Sequence, residues 1–237
     1  MPMTGLYPST RRRIRPQAAA AAGAFVPTDL ANCELWLDAS DSGSFTYSSG
    51  VVVSQWNDLS GNARHRGTIT GTPDRNGTQN GLDTVTFAGD IISGSLVSAV
   101  TDNFTMILAG HHTGSINTAK PFQNGSSGNG YCIGARSNST NVGCLLDGVG
   151  WLSSSTADPN APCVYTVIRA STNWSMWLNT TLTSLSHTAS PNTPTTTTFV
   201  GHGEFSGEVF EVIFYSQALS AGNRASAVNY LISKWGI

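Results

Sequence analysis

The last thirty-one residues, 207–237 (GEVFEVIFYSQALSAGNRASAVNYLISKWGI), constrain the fold more than any other stretch. From Glu208 to Tyr215, one set of positions (Val209, Glu211, Ile213, Tyr215) alternates with another (Phe210, Val212, Phe214). Both sets are mostly β-branched or aromatic, so this segment reads as a strand covered on two sides rather than one with a wet face. The period then changes. Ser220 offers an N-cap, and Ala225, Val228, Leu231, Ile232 and Trp235 recur at helical spacing. Gly236 stands where a left-handed C-cap residue belongs. A doubly covered strand, a short loop and one amphipathic helix lying against the body are expected.

The rest of the chain is compatible with a single all-β domain. Only 11% of residues are charged, while the 25 glycines and the many Ser, Thr and Asn suit a turn-rich β protein. Six Trp and nine Phe supply enough bulk for a two-sheet core. Short strands are expected at 34–38, 51–56, 84–87 and 104–109, around Ile133, and at 142–146, 164–170, 175–178 and 199–201, separated by Gly, Asn, Ser and Pro clusters. Residues 40–49 and 188–198 read as polar loops, the latter with a sheet-edge strand as the alternative. Even spacing of short strands fits a jelly roll or sandwich.

The closing segment, Glu211-Val212-Ile213-Phe214-Tyr215, then Ala218-Leu219-Ser220, then Lys234-Trp235-Gly236, resembles that of the bacterial and phage concanavalin A-like (laminin G-like) jelly-roll domains. The opening of the domain agrees: Leu35-Trp36-Leu37-Asp38-Ala39-Ser40-Asp41, followed by Val53-Ser54-Gln55-Trp56-Asn57-Asp58-Leu59-Ser60-Gly61-Asn62. The resemblance spans roughly Asp29 to Ile237 and implies a two-sheet antiparallel jelly-roll sandwich with a short C-terminal helix. Asn223 departs from the pattern, which has an acidic residue in the first helical turn. Such sandwiches carry many roles, so the resemblance speaks to fold before function.

Residues 1–28 form a separate, extended N-terminal arm ahead of the domain at 29–237. Arg11, Arg12, Arg13 and Arg15 lie in it with no acidic residue, so the arm carries +4 and the remainder −6. Pro2, Pro8, Pro16 and Pro27 forbid one continuous helix. The alternatives are a solvated tail and a docking arm, with Leu6, Tyr7 and Ile14 as apolar anchors and the arginines meeting acidic groups. A protein partner is preferred to nucleic acid, because no aromatic residues interleave the arginines and the body is acidic. The layout does not match a three-part secretion signal, and no apolar run approaches the ~20 residues of a membrane helix.

No catalytic set is legible. Glu208 and Glu211 stand at an odd separation, which on a regular strand sends them to opposite faces, and no Glu-x-Asp-x-x-Glu arrangement of the related glucanases occurs. Glu211 is expected to hold the helix or a turn through hydrogen bonds. His111 and His112 diverge, His202 and Glu204 are too few for zinc, and His65 reads as a turn residue. No cofactor is implied. Calcium is the one metal worth weighing, with Asp38, Asp41 and Asp58 as loop carboxylates, against the preferred reading that these cap turns. Cys132 and Cys144 flank a turn centred on Asn138, where a disulfide is allowed, and buried thiols are the preferred alternative. Tyr47, Tyr131, Trp151 (on a loop-like Gly150-Trp151-Leu152 stretch) and Trp174 are the candidate sugar-stacking aromatics, with Trp36, Trp56, Trp177 and Trp235 assigned to the core.

These observations lead to the expectation of a non-enzymatic phage virion structural protein assembled in the host cytoplasm. In this reading a capsid decoration or cement protein is pinned to the major capsid protein or a tail component by its arm, in a homo-oligomer or symmetric cluster. The alternatives are a glycan-binding module of a phage tail, fibre or exported bacterial protein, recognising cell-surface glycan, and a degenerate glucanase-like hydrolase.

Overall fold

A computed structural model describes residues 24–113, 119–126, 128–135, 141–183, 187–202 and 205–237. The strands in chain order are β1 (Cys33–Asp38), β2 (Phe45–Ser49), β3 (Val52–Trp56), β4 (Thr68–Thr70), β5 (Asp74–Gln79) and β6 (Leu82–Ala88). Then come β7 (Ile91–Ser95), β8 (Asn103–His112), β9 (Phe122–Asn124), β10 (Tyr131–Ala135), β11 (Asn141–Leu146) and β12 (Gly150–Ala157). The last are β13 (Cys163–Ala170), β14 (Asn173–Leu178), β15 (Thr181–Thr183), β16 (Thr197–Val200) and β17 (Ser206–Tyr215), followed by helix α1 (Ala221–Trp235). They build two antiparallel sheets, as the sequence predicts. The ten-stranded sheet runs β15-β14-β13-β8-β17-β6-β5-β3-β2, with β1 also on β17. The seven-stranded sheet runs β12-β11-β10-β9-β16-β7-β4.

β17 is the centre of the larger sheet. One edge pairs along β8, while the other pairs first with β6 (Val209 opposite Val85) and then with β1 (Trp36 opposite Ile213). Its inner face reaches the second sheet through an aromatic stack. Phe104 on β8 lies 3.9 Å from Tyr131 on β10 at an interplanar angle of 6°, and Phe214 stacks alongside at 6.1 Å. Offset stacking of this kind adds to the area buried and fixes the spacing of the two sheets.

The alternation predicted for β17 is broken by a β-bulge between Val209 and Glu211. The extra residue turns Phe210 toward the helix, where its ring lies 5.2 Å from Trp235. The same bulge overturns the parity argument for Glu208 and Glu211. Glu208 pairs opposite Thr86 and bonds Thr84, while Glu211 meets the helix, so both carboxylates lie on the outer, helix-bearing side.

Helix α1 begins and ends as expected. Ser220 Oγ accepts from Asn223 N at 3.2 Å, and Gly236 adopts φ 65°, ψ 41°. Its buried face is Ala227, Val228, Leu231 and Trp235, so Ala227 replaces the predicted Ala225. The last carbonyls are capped from another element. Gln79 Nε2 donates to Trp235 O and Asn80 Nδ2 to Lys234 O, each at 2.9 Å. Those donors come from the β5–β6 turn, where Asn80 (φ 52°) and Gly81 (φ 75°) are both left-handed, as a tight type I′ hairpin needs.

Four predictions change. Residues 45–49 are a strand, not loop, and Gly150-Trp151-Leu152 opens β12 rather than a loop. Thr197 and Thr198 enter β16, which lies between β9 and β7 rather than at a sheet edge. Cys132 faces Leu145, and Cys144 faces Ile133. That one-residue offset sends the two thiols to opposite faces, and all four cysteines are buried and free. The root of the predicted arm also lies on the body: Pro27 is buried, Tyr215 Oη donates to Pro27 O at 3.0 Å, and Phe25 packs 5.7 Å from Tyr230.

Candidate functional site

Among the predicted sugar-stacking aromatics, Tyr47 is the most exposed, at 39%. It sits on β2, the edge of the larger sheet, where its ring stacks on the same side as Phe45. Phe45 is the anchor, buried and stacked on Trp56 at 5.1 Å. The Tyr47 ring lies 6.1 Å from Phe45, tilted by 20° and turned to solvent. Arg75 on β5 fixes this corner. Its guanidinium lies 5.2 Å above Phe45, Nε donates to Ala39 O at 2.8 Å, and Nη2 donates to Ser40 O at 3.3 Å. Nη2 also pairs with Asp83 Oδ2 at 2.8 Å, and Nη1 approaches the Tyr47 hydroxyl at 3.5 Å. The Asp83 side chain is 50% exposed. The corner therefore offers a flat aromatic face in water beside an accessible carboxylate, joined by one guanidinium.

Tyr131 and Trp174 are removed from the surface. Tyr131 is fully buried in the inter-sheet stack, its hydroxyl donating to Val100 O at 2.9 Å. Trp174 is buried against Phe104 and Arg169, with Nε1 donating to Ala189 O at 3.0 Å. Trp151 is half-buried on the edge strand β12. A Cβ on Gly134 would strike the Ala119 carbonyl first and lie 3.1 Å from the Trp151 ring tip, so the glycine admits both neighbours. Of the tryptophans assigned to the core, Trp56 and Trp235 are fully buried, and Trp36 and Trp177 half-buried.

The carboxylates considered for calcium are occupied as turn acceptors. Asp58 accepts from Trp36 N, Ser60 N and Oγ, and Arg64 N, at 2.8–3.0 Å. Asp41 caps Gly43 N, and Asp38 takes Ser40 and the Lys234 ammonium. Among the described residues, no three His, Cys, Asp or Glu side chains converge as a metal ion requires. The arm residues Leu6, Tyr7, Arg11, Arg12, Arg13, Ile14 and Arg15 lie outside the described residues, as does Glu204.

Glu211 is a structural hub. Oε1 accepts from Trp36 Nε1 at 2.7 Å and from the Tyr230 hydroxyl at 3.1 Å. Oε2 accepts from Lys234 Nζ at 2.8 Å and Trp235 Nε1 at 3.0 Å. Complete burial, reinforced by Asp38, pushes its carboxyl up to about 7 against the pull of Lys234 and Trp235. With four donors closed around it, neither oxygen faces a groove.

A second buried polar cluster centres on Asp158. His112 Nδ1 stands 2.7 Å from Asp158 Oδ2, and Asp158 also accepts from Tyr165 Oη at 3.0 Å and Asn160 N at 2.9 Å. Burial would raise the Asp158 carboxyl, but these partners outweigh it and hold the group below the usual range. The two histidines diverge as expected: His111 lies 5.9 Å from Phe210 on the outer side, while His112 packs on Phe205 and Tyr165. His65 is exposed, its Nδ1 accepting from Asp58 N at 3.1 Å.

Sequence reasoning missed Arg75 and Asp83. Asp74-Arg75-Asn76-Gly77 reads as a turn, and the one available signal was Asn80-Gly81, which sets β5 against β6 as a hairpin.

The two sheets and their packing define an antiparallel β-sandwich. No protein-family model matches the chain, and no curated protein matches it in sequence. Similar solved structures do exist. The binding domain of botulinum neurotoxin DC, in complex with rat synaptotagmin II, superposes with a TM-score of 0.63 at 12% identity, over 87% of this chain and 52% of that one. Botulinum neurotoxin type C, whose cell uptake is described as dependent on interaction with two ganglioside molecules, gives 0.64 at 10% identity, over 86% and 52%. Trypanosoma rangeli sialidase, as its covalent intermediate with 2,3-difluorosialic acid, gives 0.61 at 11% identity, over 93% and 36%. The chain thus spans about half of the toxin chains and about a third of the sialidase. At these identities the likeness establishes the fold alone, and enzymes and non-enzymatic binding domains both occur among the neighbours.

Proposed function

We propose that this chain is a non-catalytic, lectin-like module that binds glycan at the Tyr47 corner. The observation that carries the reading is an aromatic ring held in water on a sheet edge beside the exposed Asp83 carboxylate. A pyranose presents an apolar C–H face that stacks on such a ring and hydroxyls that donate to such a carboxylate. The names of the structural neighbours, which concern sialidase and ganglioside-dependent toxins, support glycan in general as the ligand and say nothing of its charge at this corner. Against hydrolysis stands Glu211, whose oxygens are closed off by Trp36, Tyr230, Lys234 and Trp235. The test is a glycan array followed by calorimetry on the best ligand. Tyr47→Ala is expected to weaken binding at least tenfold, while Trp151→Ala leaves it unchanged. Equal binding by wild type and Tyr47→Ala sinks the assignment.

Attachment to a virion through the arm is the second reading, and it rests on the charge asymmetry between residues 1–27 and the acidic remainder. Phage particles bound by the full chain and not by a chain lacking residues 1–23 would support it. Equal binding by both would refute it.

A further inference from the structure

We infer that the Tyr47 corner selects neutral sugars and discriminates against sialic acid and other carboxylated sugars. This rests on the glycan-binding reading above and adds the charge class of the ligand. A protein site that recognises a sugar carboxylate normally offers it a free guanidinium fork or a free ammonium. Arg75 is the cation at this corner, and its charge is already paired and its Nε and Nη2 donors used within the protein. Nε and Nη2 serve Ala39 O and Ser40 O, Nη2 pairs with Asp83 at 2.8 Å, and Nη1 lies against the Tyr47 hydroxyl. Its side chain is only 9% exposed, whereas that of its partner Asp83 is 50% exposed. What faces solvent is therefore the anion of the pair. Lys234 on α1, which meets Asp38 at the end of β1, is likewise held, between Asp38 at 2.5 Å and Glu211 at 2.8 Å.

The charged group left for a ligand at this corner is an acceptor. Asp83 carries unfilled lone pairs for sugar hydroxyls, Asp41 lies in the adjoining turn, and the Tyr47 ring takes an apolar face. A ligand carboxylate placed over Tyr47 would stand near the exposed Asp83, with the one guanidinium below it buried and already paired. Two unit charges about 7 Å apart at a protein surface interact strongly enough to weaken binding about tenfold at low salt. The body as a whole carries −6, which acts in the same direction on approach.

The experiment uses the full chain on paired galactose-terminated and sialic acid-terminated glycans that are otherwise identical. The expected result is binding to the neutral member, about tenfold weaker binding to the sialylated one, and loss of both on Tyr47→Ala. Asp83→Lys should narrow or reverse the gap, with Asp83→Asn as the milder variant that keeps size and fold. Raising salt from about 0.05 M to about 1 M should shrink the gap, because the Debye length falls to about 3 Å. Equal or tighter binding to the sialylated member overturns this inference and leaves the glycan reading standing. So does a gap that persists unchanged in high salt, which would make the discrimination steric. Binding to neither member, and to no glycan on the array, refutes the glycan reading itself.

Discussion

Replacing Lys234 with Met should destabilise the domain strongly at neutral pH and weakly in acid. The Met keeps the apolar stem and removes the ammonium that sits between Asp38 and Glu211 at 2.5 and 2.8 Å. Two carboxylates are then left facing each other under the helix, one of them fully buried. Breaking a buried pair in this way costs about 3–5 kcal/mol, and the partial exposure of Lys234 places the expected loss at roughly 2–4 kcal/mol. For a domain of this size that is a fall in Tm of about 4–16 °C. The pH dependence follows from Glu211, which has its folded value raised from 4.5 to about 7. The folded state therefore binds the proton more tightly than the unfolded chain. In the wild type this group's share of stability is full below 4.5 and is lost as pH rises through about 7, a change of roughly 3 kcal/mol. Without Lys234 the carboxyl is pushed higher still, so the variant loses more on the alkaline side. In acid, a proton on Glu211 removes the repulsion, and the gap between the two proteins should close to about 1 kcal/mol. Urea titrations followed by tryptophan fluorescence at pH 4.5 and pH 8 would measure this. A Lys234→Met protein as stable as wild type at pH 8, or a loss identical at both pH values, refutes the reasoning.

Asp58→Ala removes the acceptor for four donors that tie the turn after β3 to β1, so a loss of about 2–4 kcal/mol is expected in the same titration. A loss below about 0.5 kcal/mol would show that water replaces it freely. Asp158 has its folded carboxyl held below the usual value, so it contributes stability above the ordinary carboxylate range that is lost as pH falls through the folded value. Asp158→Asn should therefore lower stability at neutral pH and flatten the acid limb, and an acid limb of unchanged slope would contradict the role given to His112. Burial pushes the Cys33, Cys132 and Cys163 thiols up to about 12 and Cys144 well above its ordinary value. The native protein should show no thiol reacting with a chromogenic disulfide at pH 8, and the unfolded protein four. Two in the unfolded, unreduced chain would indicate a Cys132–Cys144 bridge after all.

The fold was legible wherever one local rule governed the outcome. Ser220, Gly236 and the apolar run of β17 each name their own conformation, and tertiary packing agreed with them. Asn80-Gly81 was equally explicit. The polar strand β5 was not, because Asn76-Gly77 imitates a turn; there Gly77 is needed because a Cβ would strike Thr84 and Glu208. The bulge at Phe210 was invisible for a different reason: alternation fits the sequence in either register, and the helix packed on Phe210 is what selects the bulged one. Of the site, Tyr47 could be proposed as an aromatic in a polar stretch, but its exposure depends on Phe45 taking the buried position beside it. Arg75 and Asp83 meet through packing of separate strands, and composition carries no trace of that. Tyr131 and Trp174 illustrate the converse: an aromatic flanked by glycine or asparagine looks loop-borne until a facing sheet closes over it.

The placement of β17 has a consequence for how the domain is assembled. β1, β6 and β8 each leave one backbone edge for a strand encoded more than ninety residues beyond the last of them. A nascent chain released up to Gly201 would hold three sticky borders with nothing to zip them, so the larger sheet closes late and its closure waits on long-range loop formation. During that interval self-association through those borders competes with folding, and the final hairpin of strand and helix acts as the clasp that ends it.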